Sequence, residues 1–143
     1  MKKLLLIGTA ALLSTTALAQ DSKGWWTYEE LSAGVKKYEY SRQVLAGKKI
    51  ELGNWGSMKP DCSPDVMEWK VTKEPEHGTV EFSPSTAQLS YPPDNPRSKC
   101  GKTKTILVIY KSNDGYKGED WFEVTGINAA GFAEEITYRL KVR

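Results

Sequence analysis

His77 is the side chain best suited to acid–base chemistry, and it is the only histidine in the sequence. A Ser/His/Asp or Cys/His catalytic arrangement would therefore have to use it. It lies in Pro75-Glu76-His77-Gly78, where proline fixes φ and glycine permits a positive φ, so the segment is suited to turn. No partner for nucleophilic catalysis is apparent beside it. We interpret His77 and Gly78 as structural turn residues, and we expect no catalytic residues and no enzyme.

Acidic residues cluster around the segment that leads to Phe122. Asp114 and Asp120 could supply oxygen ligands for Ca²⁺, but the EF-hand spacing is absent and nearby lysines lower the local negative charge. Asp120 alternates with Phe122 and should share its inward face. An inward Asp at the start of a strand usually accepts backbone N–H groups from a loop. We therefore predict a structural role for Gly118 and Asp120, keep Asp114 and Asp120 as weak calcium candidates, and expect no other cofactor.

Surplus tryptophans are the second chemical feature of the chain. The apolar face of one strand explains Trp69, but it does not explain Trp25, Trp26, Trp55 or Trp121. Exposed aromatic rings can stack on a sugar or anchor a protein partner, so these four residues form a candidate binding surface. The structural alternative is that Trp25 and Trp26 cover an open edge or end of the fold, and that Trp121 lies under a loop.

Residues 1–19 have the pattern of a signal peptide. Two lysines precede a short apolar run, and Ala17-Leu18-Ala19 is a cleavage pattern. The apolar run is much shorter than the roughly 20 residues that span a bilayer. We expect cleavage, a periplasmic or secreted protein, and no transmembrane segment in the mature chain. Cleavage would also remove two of the positive charges behind the net charge of +2, and a nearly neutral chain does not favour nucleic acid as a partner.

Cys62 and Cys100 are the two cysteines of the chain, and each lies in a proline-containing loop. In an exported protein, two cysteines favour one disulfide. A redox or metal pair is not favoured, because no C-x-x-C spacing occurs and no second ligand neighbours either residue. We predict a bond that joins the loop before the strand at 67–71 to the loop before the strand at 106–110.

Hydrophobic alternation with a period of two dominates the chain beyond residue 36, which is typical of strands with one face in the core. We predict an all-β fold over residues 37–143, an antiparallel sandwich of two sheets with about seven or eight strands. A small barrel is the alternative. Residues 20–36 form an N-terminal segment in which Thr27 and Glu30 resemble a capping box, so one or two helical turns or a loosely docked terminus are expected. The apolar strand segments are Tyr38–Tyr40, Ile50–Leu52, Met67–Val71, Val80–Phe82, Leu89–Tyr91, Ile106–Tyr110, Phe122–Val124 and Ile136–Val142.

The order of several motifs resembles the bacterial cadherin-like and immunoglobulin-like domains. These motifs are P-x-H-G-x-V at 75–80, Y-x-P at 91–93 and G-x-D-x-F at 118–122, and the similarity covers about residues 48–143. The resemblance implies an immunoglobulin-like sandwich in the cell envelope that serves as an adhesive, spacer or binding module.

Two functional hypotheses follow. The first is an exported, non-enzymatic module that binds a protein or another cell-envelope component. The alternative is a carbohydrate-binding module, with Ca²⁺ assistance through the loop at 113–120.

Overall fold

The computed structural model describes residues 26–31 and 34–143. Within them the secondary structure consists of ten β-strands and one short 3-10 helix, Pro96–Lys99. None of the helical structure in this described part is long and apolar enough to cross a membrane. The strands are β1 (Trp26–Leu31), β2 (Val35–Val44), β3 (Lys49–Trp55), β4 (Ser57–Met58), β5 (Pro64–Asp65), β6 (Met67–Lys73), β7 (Gly78–Ala87), β8 (Thr103–Ser112), β9 (Gly118–Asn128) and β10 (Ala133–Val142).

The strands form two main sheets that pack face to face. The large sheet has the order β1-β2-β10-β9-β6, the small sheet has the order β3-β8-β7, and β4 pairs with β5 in a separate hairpin. Adjacent strands of the described chain run antiparallel except β2 and β10, which run parallel with Tyr40 opposite Tyr138. The predicted all-β sandwich of two sheets is confirmed, and the continuously apolar segment 106–110 lies in the central strand of the small sheet, as expected.

The core lies between the sheets because most strands place alternate apolar side chains on one face. On β10, Ile136 and Tyr138 are almost fully buried, whereas Arg139 between Tyr138 and Leu140 is exposed. The rings of Tyr110 in the small sheet and Phe122 in the large sheet stack with centroids 5.9 Å apart. Burial of each large apolar side chain contributes about 1.5–3 kcal/mol. These contacts hold the two sheets together across the sandwich.

The expected helical turn at Thr27 is wrong, because residues 26–31 form the strand β1. Its backbone pairs antiparallel with β2, from Trp26 opposite Tyr40 to Leu31 opposite Val35. Pairing along a whole sheet edge outweighs the weak local preference of a capping box. The sheet therefore begins before residue 37. Trp25 and the predicted signal peptide lie outside the described residues, as does the environment of the Trp26 side chain.

The predicted strand at Leu89–Tyr91 is also wrong, because β7 ends at Ala87. The amide Nε2 of Gln88 donates a hydrogen bond to the carbonyl of Cys100 at 2.8 Å. Pro92 and Pro93 follow, and prolines have no N–H group to donate to a sheet. Alternation here reflects a loop with one face toward the protein, and residues 88–100 form this loop, which we call the crossing loop.

Gly78 is required for space. It is not one of the glycines with a positive φ, so the expected reason for a glycine at this turn is wrong. A Cβ added to Gly78 would lie 2.5 Å from Cε2 of Tyr110 and 2.6 Å from the backbone oxygen of Lys111. The neighbouring strand therefore passes too close for any other side chain.

We expect Gly78→Ala to lower the free energy of unfolding by about 1–3 kcal/mol, the usual cost of overpacking. The added methyl group would press against the backbone oxygen of Lys111. Backbone in a paired strand cannot turn away from such a contact as a flexible side chain can. Urea unfolding followed by tryptophan fluorescence measures the change. Gly101→Ala is the matched control, because a Cβ there would meet nothing within 4 Å. Equal stability of the two variants would contradict this explanation.

Candidate ligand-binding groove

A groove of about 1040 Å³ lies between β2 and β10 of the large sheet, the end of β3, and the crossing loop. Aromatic rings form much of its lining, and charged side chains lie among them. The aromatic residues are Tyr38, Tyr40, Trp55, Tyr91, Phe132 and Tyr138. The charged residues are Lys36, Arg42, Asp65, Arg97 and Glu134.

The floor of the groove is the inner face of β2 and β10. Tyr40 is the register partner of Tyr138, and Tyr38 is the partner of Ile136. Because side chains alternate along a strand, even-numbered residues of both strands share this face. The rings of Tyr40 and Tyr138 stack with centroids 5.8 Å apart. The parallel pairing of the two strands thus places a row of tyrosines under the groove.

Trp55 enters the groove because a β-bulge changes the phase of β3. The register with β8 shifts between Glu51 and Gly53, so the inward face passes from even to odd residues. Simple alternation from Ile50 would have placed Trp55 outward. Instead its Nε1 donates a hydrogen bond to the hydroxyl of Tyr138 at 2.6 Å. The indole ring also lies 5.5 Å from the ring of Tyr38 and from that of Tyr40.

A disulfide holds the crossing loop against the β4–β5 hairpin. The predicted bond between Cys62 and Cys100 is confirmed, with a Cα–Cα distance of 5.3 Å. Beside it, Nε of Arg97 donates to the carbonyl of Met58 at 2.5 Å. Tyr91 is half-buried, and the guanidinium of Arg97 lies 5.9 Å from its ring centroid. The covalent bond therefore anchors the wall of the groove that carries Tyr91.

Glu134 is an acidic residue on the inner face of the large sheet. Burial raises its pKa to about 7, although the charge of Lys36 lowers it and that of Asp65 raises it further. Its Oε2 is buried and has no hydrogen-bond partner among the described residues. The charge of Glu134 also contributes to the raised pKa of Tyr40 and Tyr91, which is due mainly to burial. Glu134, Tyr40 and Tyr91 all line the groove.

Sequence reasoning missed Glu134, although a signal was present. Glu134 is in phase with Ile136, Tyr138, Leu140 and Val142, all of which are buried. An acid on the apolar face of a strand is unusual, because burial of a charge is costly unless it is paired.

Trp121 lies on the outer face of the large sheet, away from the groove. The Nζ of Lys73 lies 3.7 Å from the centroid of its ring, and the guanidinium of Arg139 lies 5.7 Å from it. Arg139 also forms an ion pair of 2.9 Å with Glu39. Trp121 is thus half-buried within a charged surface, and a lysine side chain covers it where a loop was expected.

Asp120 lies near the start of β9 and ties a loop to the sheet. It is 4% exposed, and its carboxylate accepts hydrogen bonds from the backbone N–H of Glu76 at 3.1 Å and of His77 at 3.2 Å. The Tyr110 hydroxyl donates to the same carboxylate at 2.7 Å. The His77 ring stacks on Tyr116 with centroids 4.0 Å apart. Asp120 and His77 both hold the turn in place.

The calcium candidates do not come together with other ligands. The Asp114 side chain is 89% exposed and lies 3.8 Å from Nζ of Lys111. The described residues contain no group of three or more His, Cys, Asp or Glu that could hold a metal ion. Gly118 has a φ of 144°, which explains the glycine before Asp120.

Comparison with known proteins adds little to this geometry. No family model matches the chain, and no curated protein matches it. One solved structure that is similar to this chain is the solution structure of amebosin, at 10% sequence identity and a TM-score of 0.42. The similarity covers 78% of this chain and 100% of that one.

Proposed function

We propose that this chain is an exported, non-enzymatic, immunoglobulin-like module of the cell envelope, and that it binds a saccharide in the groove. The observation that carries the proposal is the row of aromatic rings under and beside a groove that also contains polar and charged groups. Sugars combine apolar C–H faces with hydroxyl groups, so they suit a site that offers both rings and hydrogen-bonding groups.

The dimensions of the groove support an extended ligand. Its volume of about 1040 Å³ is slightly larger than the range of about 300–1,000 Å³ for small-molecule sites. The disulfide and the hydrogen bond from Arg97 to Met58 fix one wall, and the tyrosines of β2 and β10 fix the floor. A preformed site loses little conformational entropy when it binds.

A protein partner is less well supported than a sugar. The surplus tryptophans were candidates for either ligand, but Trp55 contacts other rings within the groove and Lys73 covers Trp121. The described rings therefore line a concave groove, which suits a sugar better than the flat surface of a protein. The saccharide proposal needs no calcium ion. Export is supported by the disulfide, because such bonds persist mainly in oxidising compartments.

We expect Tyr91→Ala to weaken saccharide binding about tenfold, because loss of one stacked ring costs roughly 1.4 kcal/mol. The probes are maltotetraose, cellotetraose and N-acetylchitotetraose, measured by isothermal titration calorimetry. Trp121→Ala is the matched control, because it removes a half-buried ring from the outer face of the same protein and should leave binding unchanged. Thermal unfolding of each variant shows whether it is folded at the temperature of the titration.

Three results would count against the proposal. If none of the three oligosaccharides binds the unmodified protein, the saccharide assignment fails. If an envelope protein is instead captured by the unmodified protein and lost with Tyr91→Ala, the groove serves a protein partner. Equal loss of sugar binding in Tyr91→Ala and Trp121→Ala would mean that the groove is not the site.

A further inference from the structure

We propose that Glu134 selects the ligand of the groove by accepting hydrogen bonds from two adjacent hydroxyl groups of a sugar ring. This inference rests on the proposed saccharide function, and it names the residue and the ligand chemistry that would give that function its specificity. A carboxylate offers two oxygen acceptors, which match the two donors of a pair of neighbouring hydroxyl groups.

The neighbours of Glu134 in the sheet are a glycine on one side and a lysine on the other. Its register partner on β9 is Gly126, which has no side chain. The ring of Trp69 covers Gly126 so closely that a Cβ there would lie 2.7 Å from it. On the other side the register partner is Lys36 of β2. Glu134 is therefore flanked by a flat indole surface and a long side chain, at the edge of the aromatic floor.

A second, independent observation is that Oε2 of Glu134 has no hydrogen-bond partner among the described residues. Buried polar atoms in folded proteins nearly always have a hydrogen-bond partner, and an unpaired one is costly. This atom has none among the described residues, and Glu134 is part of the groove lining. The atom has almost no solvent-accessible surface in the empty groove, so the carboxyl group must turn toward the groove before a sugar hydroxyl can donate to it. The hydrogen bond then removes the cost of the unpaired oxygen, which favours ligand binding.

The surrounding charges make this contact dependent on pH. Burial raises the pKa of Glu134 to about 7, the charge of Lys36 on β2 lowers it, and that of Asp65 on β5 raises it further. Tyr40 and Tyr91 line the same groove, and Glu30 of β1 is the register partner of Lys36. Two hydroxyl donors require the ionised carboxylate, so binding must expel the proton below pH 7. The affinity should fall by about tenfold per pH unit below that value.

The test compares the unmodified protein with Glu134→Gln and Glu135→Gln at pH 5.5 and 8.0. Glu135 is the matched control, because it is the next residue of β10, lies on the other face and pairs with Lys37 at 2.7 Å. The probes are the three tetrasaccharides named above, none of which titrates in this range. For the unmodified protein and Glu135→Gln, we expect affinity to rise at least about tenfold from pH 5.5 to 8.0. For Glu134→Gln, we expect weak binding with a flat pH profile.

The choice of probes tests the hydroxyl pair itself. Maltotetraose and cellotetraose carry adjacent hydroxyl groups on every ring, whereas the internal rings of N-acetylchitotetraose carry an acetamido group in place of one of them. At least one glucan should therefore bind more tightly than N-acetylchitotetraose. Preference for N-acetylchitotetraose, or an identical pH profile in the unmodified protein and Glu134→Gln, would overturn the role of Glu134 while leaving the proposed function intact if Tyr91→Ala still weakens binding.

A measurement without ligand keeps the inference falsifiable. The folded pKa of Glu134 is raised above the ordinary value of 4.5, so its stabilising contribution is present below pH 4.5 and is lost as pH rises through 7. Relative to Glu134→Gln, the unmodified protein should lose thermal stability between pH 5.5 and 8.0. A constant difference in melting temperature across this range would show that the carboxyl group is not buried as described, and the inference would fail. If no tetrasaccharide binds at either pH, both the function and this inference fail.

Discussion

Asp120→Ala is expected to lower the free energy of unfolding by about 3–4 kcal/mol, a large fraction of the total for a small domain. The substitution removes the acceptor for the N–H groups of Glu76 and His77 and for the hydroxyl of Tyr110. Tyr110 is fully buried, so its hydroxyl would be left in the core without this partner. Urea denaturation with linear extrapolation measures the loss.

Two further variants separate the parts of this effect. Tyr110→Phe removes only one of the hydrogen bonds to Asp120 and should cost about 1–2 kcal/mol. Asp114→Ala changes an exposed acid of the same region and should alter stability by no more than about 0.5 kcal/mol. An Asp120→Ala protein as stable as Asp114→Ala would refute the tether.

Loss of the disulfide is the second change with a large expected effect. The double variant Cys62→Ser, Cys100→Ser should lose about 2–5 kcal/mol, because the bond closes a loop across a sequence separation of 38. The melting temperature should fall markedly, while the circular dichroism of the β-sheets stays unchanged below it. Saccharide affinity should also weaken, because the crossing loop loses its covalent anchor.

The oxidised and chemically reduced forms of the unmodified protein provide the control for this variant. Intact mass after alkylation reports the state of the two thiols in each form. Reduced protein should melt at the temperature of the double variant. If it melts instead at the temperature of the oxidised protein, the bond contributes nothing to stability and the crossing loop is held by other contacts.

Local patterns predicted the sheets where a strand obeys simple alternation. Residues 136, 138, 140 and 142 form the inner face of β10 as expected, and Asp120 shares the inward face of Phe122 because the two are two residues apart. Similarly, the cysteine count together with the expected export predicted the disulfide. In each case the information lies within a few residues or in the number of residues of one type.

Features that depend on contacts between distant parts of the chain could not be predicted, because a local pattern carries no information about them. The bulge at β3 depends on pairing with β8, so the sequence around Trp55 gave no sign that its side chain would turn inward. The crossing loop keeps the alternation of a strand at residues 89–91 because one face contacts the protein. The groove itself arises from the parallel pairing of β2 with β10, and no local pattern reports which strands become neighbours.

That parallel pairing also sets the order in which the protein can fold. Glu39 and Arg139, which form an ion pair across β2 and β10, are separated by 100 residues. Since β10 lies between β2 and β9, the large sheet has no continuous hydrogen-bonded centre until the segment from residue 133 onward has been added. Contacts of such high sequence separation slow folding. A nascent chain that ends before residue 133 would expose the inner edges of both β2 and β9, two unpaired strands open to pairing with other chains.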